Sequence, residues 1–350
     1  MLVIKTYEGG GRELSDFITP IWRETFKGRR LTLDWDADYF EWQLLAGGEA
    51  PRDYLLAAYD GGRLVGTLLG EPFRFWLRGR GECEAAVASW FTVDPAHRQS
   101  GVGSKLADEM QRRLRERGAP FLFGFAIRGT VGQYYWESAP GSQILGRVGF
   151  WCRIFDVKAV RDCLYAGLFD RVTLSILNAV QNPHPRPADT DGIRDYRPED
   201  LPRALELVNG MRDGVDVSYV WDEPRLRRQL MFKGVPRTLV YEERGRVEGL
   251  LNYYPINFDG RTTLRSAFID LLAFGSASYA ARKKLLRAAM AQMIREGIEM
   301  ALLLRVPCFA SRPLWATGFV PLPEEFQIVA GFSEPGLTLP RTKRLHAHLR

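Results

Sequence analysis

The most informative segment of the chain is residues 88–106, which read Ala88-Ser-Trp-Phe-Thr-Val93-Asp-Pro-Ala-His-Arg98-Gln-Ser-Gly101-Val-Gly103-Ser-Lys-Leu106. An apolar strand is predicted to end at Val93, because the Asp-Pro pair that follows it favours a turn. Arg98-x-x-Gly101-x-Gly103 then opens a helix. Apolar residues recur on that helix at intervals of four, at Leu106, Met110 and Leu114.

This arrangement is suited to holding a phosphate group. The first turn of a helix has backbone N–H groups without internal partners and lies at the positive end of the helix dipole. Glycine brings no Cβ atom to block an approaching anion, and an arginine at the mouth adds positive charge. The alternative is a helix with a flexible start, in which Gly101 and Gly103 only cost helix propensity. That cost within one turn favours a ligand.

The segment resembles the signature of the GNAT superfamily, the Gcn5-related N-acetyltransferases. That signature is a strand, Val-x-Pro, Arg/Gln-x-x-Gly-x-Gly/Ala and a helix, matched here from Val93 to Gly103. The resemblance covers about residues 2–160. A hairpin precedes the motif, an apolar strand follows it, and Gly149-Phe150 stands where such domains often end their last helix.

The resemblance implies acetyl-CoA or another acyl-CoA as cosubstrate. The backbone of residues 91–93 would pair with the pantetheine arm as an added strand does. The N–H groups of residues 99–104 would hold the pyrophosphate. The implied cofactor-binding residues are Phe91, Thr92, Val93, Arg98, Gln99, Ser100, Gly101, Val102, Gly103 and Ser104.

Amine acylation also requires that a proton leaves the amine and that the thiolate departs. In many GNAT enzymes a glutamate on the strand before the loop is the base. Here Glu82 and Glu84 are the candidates, and we take Glu84, although both lie further upstream than the usual base. The alternative is that Glu84 is a solvated carboxylate at the end of a strand.

The general acid of the family is often a tyrosine five residues before the final Phe of the last helix, a count that falls here on Leu145. Tyr134 and Tyr135 are the alternatives, since the enlarged segment Gly129–Gly141 would bring a hydroxyl in from a loop. Packing of these two rings is an equally open interpretation.

Acidic and aromatic residues alternate between Leu33 and Trp42, where this fold often receives its acceptor, and could bind a cationic amine. The spacing favours a structural role instead. In that interpretation Asp36 or Asp38 caps a helix, and Tyr39 and Trp42 face the core with Leu45. A similar segment, residues 216–224, lies in the second half of the chain.

The order of predicted elements occurs twice: strand, helix, hairpin, strand, long helix, strand and a Gly-Phe pair. We predict an N-terminal GNAT domain (1–181), a Pro-rich linker (182–192) and a degenerate GNAT-like domain with a mobile basic tail (193–350). Arg98, Gly101 and Gly103 fall on Ser278, Ala281 and Lys283, so the second half is predicted to lack the CoA loop. The expected fold is α+β, with two tandem domains, each a mixed and mostly antiparallel sheet flanked by helices.

The composition excludes several classes of protein. With 350 residues, 46% hydrophobic and 26% charged, the chain is too apolar for wholesale disorder. Its longest apolar run, Ala119–Ile127, is too short to span a membrane, and no signal peptide is recognisable. The four separated cysteines predict reduced core thiols in a cytoplasmic protein and no metal site.

The function predicted from these observations is an acyl-CoA-dependent N-acyltransferase acting on a primary amine, with acetyl implied as the commonest acyl group of the family. The acceptor would be a small or aminoacyl amine, and a protein amine stays open. The alternative is a non-catalytic acyl-CoA-binding sensor or regulatory protein. A net charge of +6 raises nucleic acid as a partner, but its arginines are dispersed among acidic residues, which argues against this.

Overall fold

The computed structural model describes residues 1–46, 52–165, 190–342 and 344–348. The predicted linker 182–192 lies mostly outside them. The first half contains β1 (Leu2–Thr6), α1 (Gly11–Phe26), β2 (Thr32–Asp34), α2 (Ala37–Phe40) with a π-helical turn (Glu41–Leu45), β3 (Leu55–Asp60), β4 (Arg63–Leu77), β5 (Gly81–Val93), α3 (Val102–Glu116), β6 (Phe121–Ile127), α4 (Val131–Ser138), β7 (Ser142–Val148), β8 (Phe150–Ile154) and α5 (Val157–Cys163).

The second half repeats this order with different lengths. It contains β9 (Ile193–Asp195), α6 (Leu201–Gly210), β10 (Val217–Val220), α7 (Glu223–Leu230), β11 (Arg237–Glu243), β12 (Arg246–Asp259), β13 (Thr263–Phe274), α8 (Tyr279–Arg295), β14 (Met300–Leu304), α9 (Ser311–Ala316), β15 (Val320–Pro321), β16 (Phe326–Phe332) and β17 (Leu345–His346). Both predicted hairpins and both predicted long helices are confirmed.

The strands form two mixed sheets. The first has the order β1-β3-β4-β5-β6-β16-β7, with β10 alongside β4 and β17 on β10. The second has the order β15-β8-β14-β13-β12-β11-β9, with β2 alongside β12. Within each main path, described pairings are antiparallel except β5 with β6 and β13 with β14. This agrees with the predicted α+β fold of two GNAT-like sheets.

The two halves exchange strands reciprocally. From the first half, β2 pairs with β12 and β8 pairs with β14. From the second half, β10 pairs with β4 and β16 pairs with β6. Each sheet therefore contains strands from both sides of the predicted boundary, and the halves share one extensive core.

Helix α3 packs on one face of the first sheet. It is amphipathic, and its buried residues include Val102, Leu106, Met110 and Leu114, one turn apart. They contact apolar side chains of β3, β4 and β5 in a second, smaller core. Residues of α1 and α2 belong to the larger core on the opposite face.

Three local expectations are wrong. Residues 129–141 were expected to form a loop but include a helix, α4. Thr130 stabilises its start by accepting a hydrogen bond from the N–H of Gln133. Gly149-Phe150 lies at the junction of β7 and β8 and ends no helix. Part of the basic tail, Leu345–His348, is buried, since β17 pairs with β10.

The cysteines follow the core prediction only in part: all four are free, but Cys83 and Cys308 are partly exposed. No helix within the described ranges combines the length and the apolar character that crossing a membrane requires.

Candidate functional site

A cleft opens between β5 and β6. The two strands pair only from Ala86–Leu122 to Ala88–Gly124. Beyond that point β5 continues to Val93 along β4, and β6 continues along β16. Each strand therefore keeps its outer neighbour, while no ladder joins the inner edges of residues 91–93 and 125–127. An extended ligand could then pair with the free edge of β5.

A bulge on β5 marks the point of divergence. The β4–β5 register shifts between Thr67 and Leu69, and Trp90 has a φ of 50°. The Thr67 hydroxyl donates to the Trp90 carbonyl over 2.9 Å, which holds the bulge. A bulge bends its strand and re-aims its side chains. The Trp90 ring lies 5.4 Å from that of Phe40 in a buried aromatic cluster.

The connection from β5 to α3 presents free N–H groups. Gln99 and Gly101 have φ values of 68° and 80°, and α3 begins directly after Gly101. Ser100 N–H donates to the His97 carbonyl and Lys105 N–H donates to the Gly101 carbonyl. The structure gives no acceptor, among the described residues, to five N–H groups at this helix start: those of Gln99, Gly101, Val102, Gly103 and Ser104.

Glycine is favoured at positions 101 and 103 for two different physical reasons. Gly101 has open space around its missing Cβ, but its φ of 80° is one that other residues rarely adopt. A Cβ on Gly103 would lie 3.3 Å from Cζ of Phe91, so this glycine lets the helix start pack closely against β5. The close contact that the structure shows at Gly103 is therefore with Phe91. The sequence had predicted the close approach of a phosphate to this glycine.

Helix α1 crosses the open end of the cleft. Trp22 Nε1 donates to Thr92 Oγ1 over 2.8 Å, and Arg98 Nη2 donates to Thr25 Oγ1 over 2.8 Å. Just after α1, Arg30 donates to the Arg128 carbonyl at the end of β6. The contacts thus join α1 to both walls. Sequence analysis missed Trp22 and Arg30, since their partners lie 70 and 98 residues away and no local motif indicates them.

Of the two candidate tyrosines, the structure brings Tyr135 to the cleft. Its ring lies 5.5 Å from the Phe91 ring, and its neighbour on the helix, Trp136, packs against it. Burial, aided by the negative charge of Asp108, raises the pKa of Tyr135 above its ordinary value. Tyr134 is 61% exposed and points to solvent.

Glu84 lies toward the opposite end of β5. It is exposed and faces Arg74 across the β4–β5 ladder. It lies four positions before Ala88, where the cleft begins, a distance of about 13 Å along a strand. The structure therefore does not bring Glu84 together with Tyr135 and the α3 start.

The acidic-aromatic segment 33–42 is built into the fold. Asp36 accepts a hydrogen bond from the N–H of Tyr39 and caps α2, while Tyr39 and Trp42 are buried. Asp222 likewise caps α7 through the N–H of Arg225. The structural interpretation of segment 33–42 is confirmed for Asp36, Tyr39 and Trp42, and the similar segment 216–224 also carries a helix cap.

A buried ion-pair cluster, missed by sequence analysis, joins the halves next to the first sheet. Glu71 on β4 is 6% exposed and accepts hydrogen bonds from Arg225 and Arg228 of α7, over 2.9 and 2.8 Å. The Arg225 guanidinium also lies 4.1 Å from the Phe73 ring centroid. Glu71 lies 154 and 157 residues from the two arginines, so no local motif indicates the cluster.

Residues 190–342 of the second half contain no comparable loop. Residues 275–278 connect β13 to α8, half the length of the 94–101 connection. Two groups of the protein occupy its N–H donors: Glu248 accepts from Ser276, and Ser278 accepts from Ala281. The predicted absence of a glycine-containing phosphate loop from the second half is consistent with this geometry.

Comparisons with known proteins agree with this fold. Residues 15–139 match the family model of an acetyltransferase (GNAT) domain. The structure of Saccharomyces cerevisiae N-myristoyltransferase with bound myristoyl-CoA is similar, at a TM-score of 0.75 and 13% identity, covering 100% of this chain and 89% of that one. A second structure of that enzyme with myristoyl-CoA has a TM-score of 0.75 and 14% identity, covering 98% and 83%. No curated protein sequence matches the chain.

Proposed function

Since residues 15–139 belong to the acetyltransferase (GNAT) domain family and the chain has the GNAT fold, we propose that it is an acyl-CoA-dependent N-acyltransferase. One observation carries the proposal: β5 and β6 separate directly in front of a helix start at which five N–H groups have no acceptor among the described residues. An extended arm ending in a pyrophosphate, which is the shape of CoA, would use both features.

The chain's own residues would then have distinct parts. The N–H groups of residues 99–104 would bind the pyrophosphate, with Arg98 beside them. The inner edge of residues 91–93 would pair with the pantetheine arm and orient the thioester. CoA supplies the activated acyl group, so the protein has mainly to align the amine and move protons.

Tyr135 is the proposed general acid. Its raised pKa keeps the hydroxyl protonated at neutral pH, so it can donate a proton to a departing thiolate. Glu84 stays the proposed base. Since it lies about 13 Å along β5 from the start of the cleft, it would have to act through a chain of several waters.

A short acyl group, with acetyl as the first choice, is consistent with an interior that aromatic side chains already fill near the bulge of β5. The rings of Trp35, Tyr39 and Phe40 lie within 6.3 Å of the Trp90 ring at the bulge and occupy the space on that face of β5. The proposed acceptor is a primary amine on a small or aminoacyl compound, with a protein amine as the broader possibility.

The test is calorimetric titration of acetyl-CoA into the wild-type protein, Ser104→Glu and Ser104→Ala. A carboxylate in the first turn would compete with the pyrophosphate for the free N–H groups, yet glutamate there suits the helix dipole and leaves the fold intact. We expect binding by wild type and S104A and a loss of about tenfold or more in S104E.

A screen of amines with thiol-release detection follows. Turnover supports the transferase, whereas binding without turnover of any amine or thioester would favour the non-catalytic acyl-CoA-binding sensor. Failure of the wild type to bind acetyl-CoA, longer acyl-CoAs and free CoA would overturn both.

A further inference from the structure

A pocket of about 350 Å³ lies where β13 and β14 of the second half separate. These strands pair from Ser266–Met300 to Ile269–Leu303, and β13 then runs on to Phe274 without β14. The pocket is thus the counterpart of the β5–β6 cleft. Its volume lies within the range of small-molecule sites.

The wall of the pocket is mixed, with polar groups on one part and apolar side chains on another. Helix α6, the end of β13 and the segment after β14 contribute to it, with Leu207, Met211, Leu272, Phe274 and Phe309 as the apolar members. The Cys308 thiol also lines it, and burial raises the pKa of that thiol, which keeps it uncharged. The apolar part of this wall favours a ligand with a hydrocarbon or aromatic body.

One cation of the pocket has no carboxylate partner among the described residues. Arg282 Nε donates to the Ala277 carbonyl over 2.9 Å, and its guanidinium lies 5.2 Å from the Phe274 ring centroid. These contacts fix the group, while its two terminal nitrogens have no acceptor in the part of the chain that the structure describes. A fixed guanidinium with free donors is suited to a carboxylate.

The other charges of the pocket compensate one another. Arg203 donates to Glu206 over 2.6 Å and to Glu248 over 3.1 Å. Glu206 also lies 3.8 Å from Arg246. Arg282 is therefore the uncompensated charge that a ligand would meet.

A CoA pyrophosphate does not fit this site. The 275–278 connection is short, and the Glu248 carboxylate already accepts from the Ser276 N–H and hydroxyl, each over 3.0 Å. A pyrophosphate bound here would lie against the Glu248 carboxylate, and the two negative groups would repel each other. The pocket therefore selects a smaller anion.

We propose that this pocket is a second ligand site, which binds a small organic carboxylate with an apolar body. The carboxylate would lie on Arg282 and the body among Leu207, Phe274 and Phe309. The proposal goes beyond the transferase function and does not depend on it.

Ligand-observed NMR with benzoate, hexanoate, benzamide and benzylamine tests the charge requirement. Benzamide has the shape of benzoate without its charge. We expect benzoate and hexanoate to bind at millimolar concentration or below, and benzamide and benzylamine to bind about tenfold more weakly or not at all. Equal binding of benzoate and benzamide, stronger binding of benzylamine, or no binding of either carboxylate would overturn the proposal.

Two neighbouring variants locate the interaction. Arg282→Gln should weaken benzoate binding about tenfold, because it removes the charged donors. Lys283→Gln makes the same change in charge one residue away, where the ammonium lies 4.6 Å from the Tyr279 ring centroid and does not line the pocket, and should bind benzoate as wild type does. Equal effects of the two variants would contradict the assignment.

Crystals soaked with 4-bromobenzoate give an independent readout. The anomalous signal of bromine should lie in this pocket, among the three apolar side chains. A bromine bound only in the β5–β6 cleft, or nowhere, would overturn the proposal whatever the variants do.

Discussion

The ring of Phe91 on β5 lies 5.5 Å from the ring of Tyr135 on α4, at an interplanar angle of 75°. Phe91 lies on the β5 wall of the cleft, and α4, which carries Tyr135, follows the β6 wall in the chain. The same Phe91 ring would meet a Cβ on Gly103, so strand, loop and helix converge on it. Phe91 therefore packs between the Tyr135 ring and the start of α3.

Tyr135→Phe should lower kcat with little change in KM. If Tyr135 is the proton donor, its loss removes general acid catalysis, worth roughly 10²–10⁴-fold, but leaves the CoA contacts of the loop intact. Steady-state kinetics with acetyl-CoA and an accepted amine provide the measurement.

Tyr134→Phe is the matched control, because that exposed side chain should have no part in the reaction. The wild-type rate should also hold to alkaline pH and fall only above the raised pKa of Tyr135, where the phenol ionises. Equal activity of the two variants would contradict a catalytic role for Tyr135.

Glu84→Gln tests the proposed base. If Glu84 accepts the amine proton through a chain of waters, the variant should lose about 10²-fold or more in kcat. Glu82→Gln, two residues away on the same strand, should keep the wild-type kcat. A twofold change or less in E84Q would mean that Glu84 is only a solvated carboxylate.

Local patterns predicted the repeat, the hairpins and the loop before α3. The apolar run at the start of β4 and the four-residue spacing of Leu106, Met110 and Leu114 belong to single elements and are legible in sequence. The strand exchange was not predicted, because an apolar run such as 326–332 carries no information about its partner, here β6 some 200 residues earlier. Nor could local sequence place Tyr135, whose role depends on where β6 leaves β5.

Glu71→Gln should destabilise the protein by about 3 kcal/mol. The substitution leaves the guanidinium groups of Arg225 and Arg228 largely buried without their carboxylate, and breaking a buried ion pair costs about 3–5 kcal/mol. Urea denaturation gives the free energy of unfolding. Glu82→Gln, which breaks an exposed pair with Arg212, should cost less than about 1 kcal/mol. If the two variants lose similar free energies of unfolding, the Glu71 cluster stabilises the protein no more than an exposed ion pair does.

His346 predicts a specific acid sensitivity. Complete burial and, as a smaller effect, the electrostatic influence of His348 lower the pKa of His346 to about 3, from an ordinary value of 6.5. The unfolded chain then binds a proton between pH 6.5 and 3 that the folded chain does not, so this contribution to stability is lost as the pH falls through that window.

The measurement is the free energy of unfolding at pH 7 and pH 5 for wild type and His346→Leu. Wild type should lose about 2 kcal/mol more than the variant between these values. The Ser218 hydroxyl keeps its bond to the Tyr219 carbonyl in H346L, so the control itself should fold. Identical pH dependence in the two proteins would show that His346 is protonated equally in both states.

One CoA per chain is the expected stoichiometry, although the fold contains two related clefts. The first half offers an eight-residue connection with free N–H groups, whereas in the second half Glu248 and Ser278 already accept hydrogen bonds from the N–H groups of Ser276 and Ala281. Calorimetry should give one site, and Ser104→Glu should abolish or weaken that site without revealing another. Glu248→Gln should keep the count at one, because the 275–278 connection stays too short to wrap a pyrophosphate. A second CoA in E248Q would mean that charge alone, and not the length of the loop, excludes CoA from the second half.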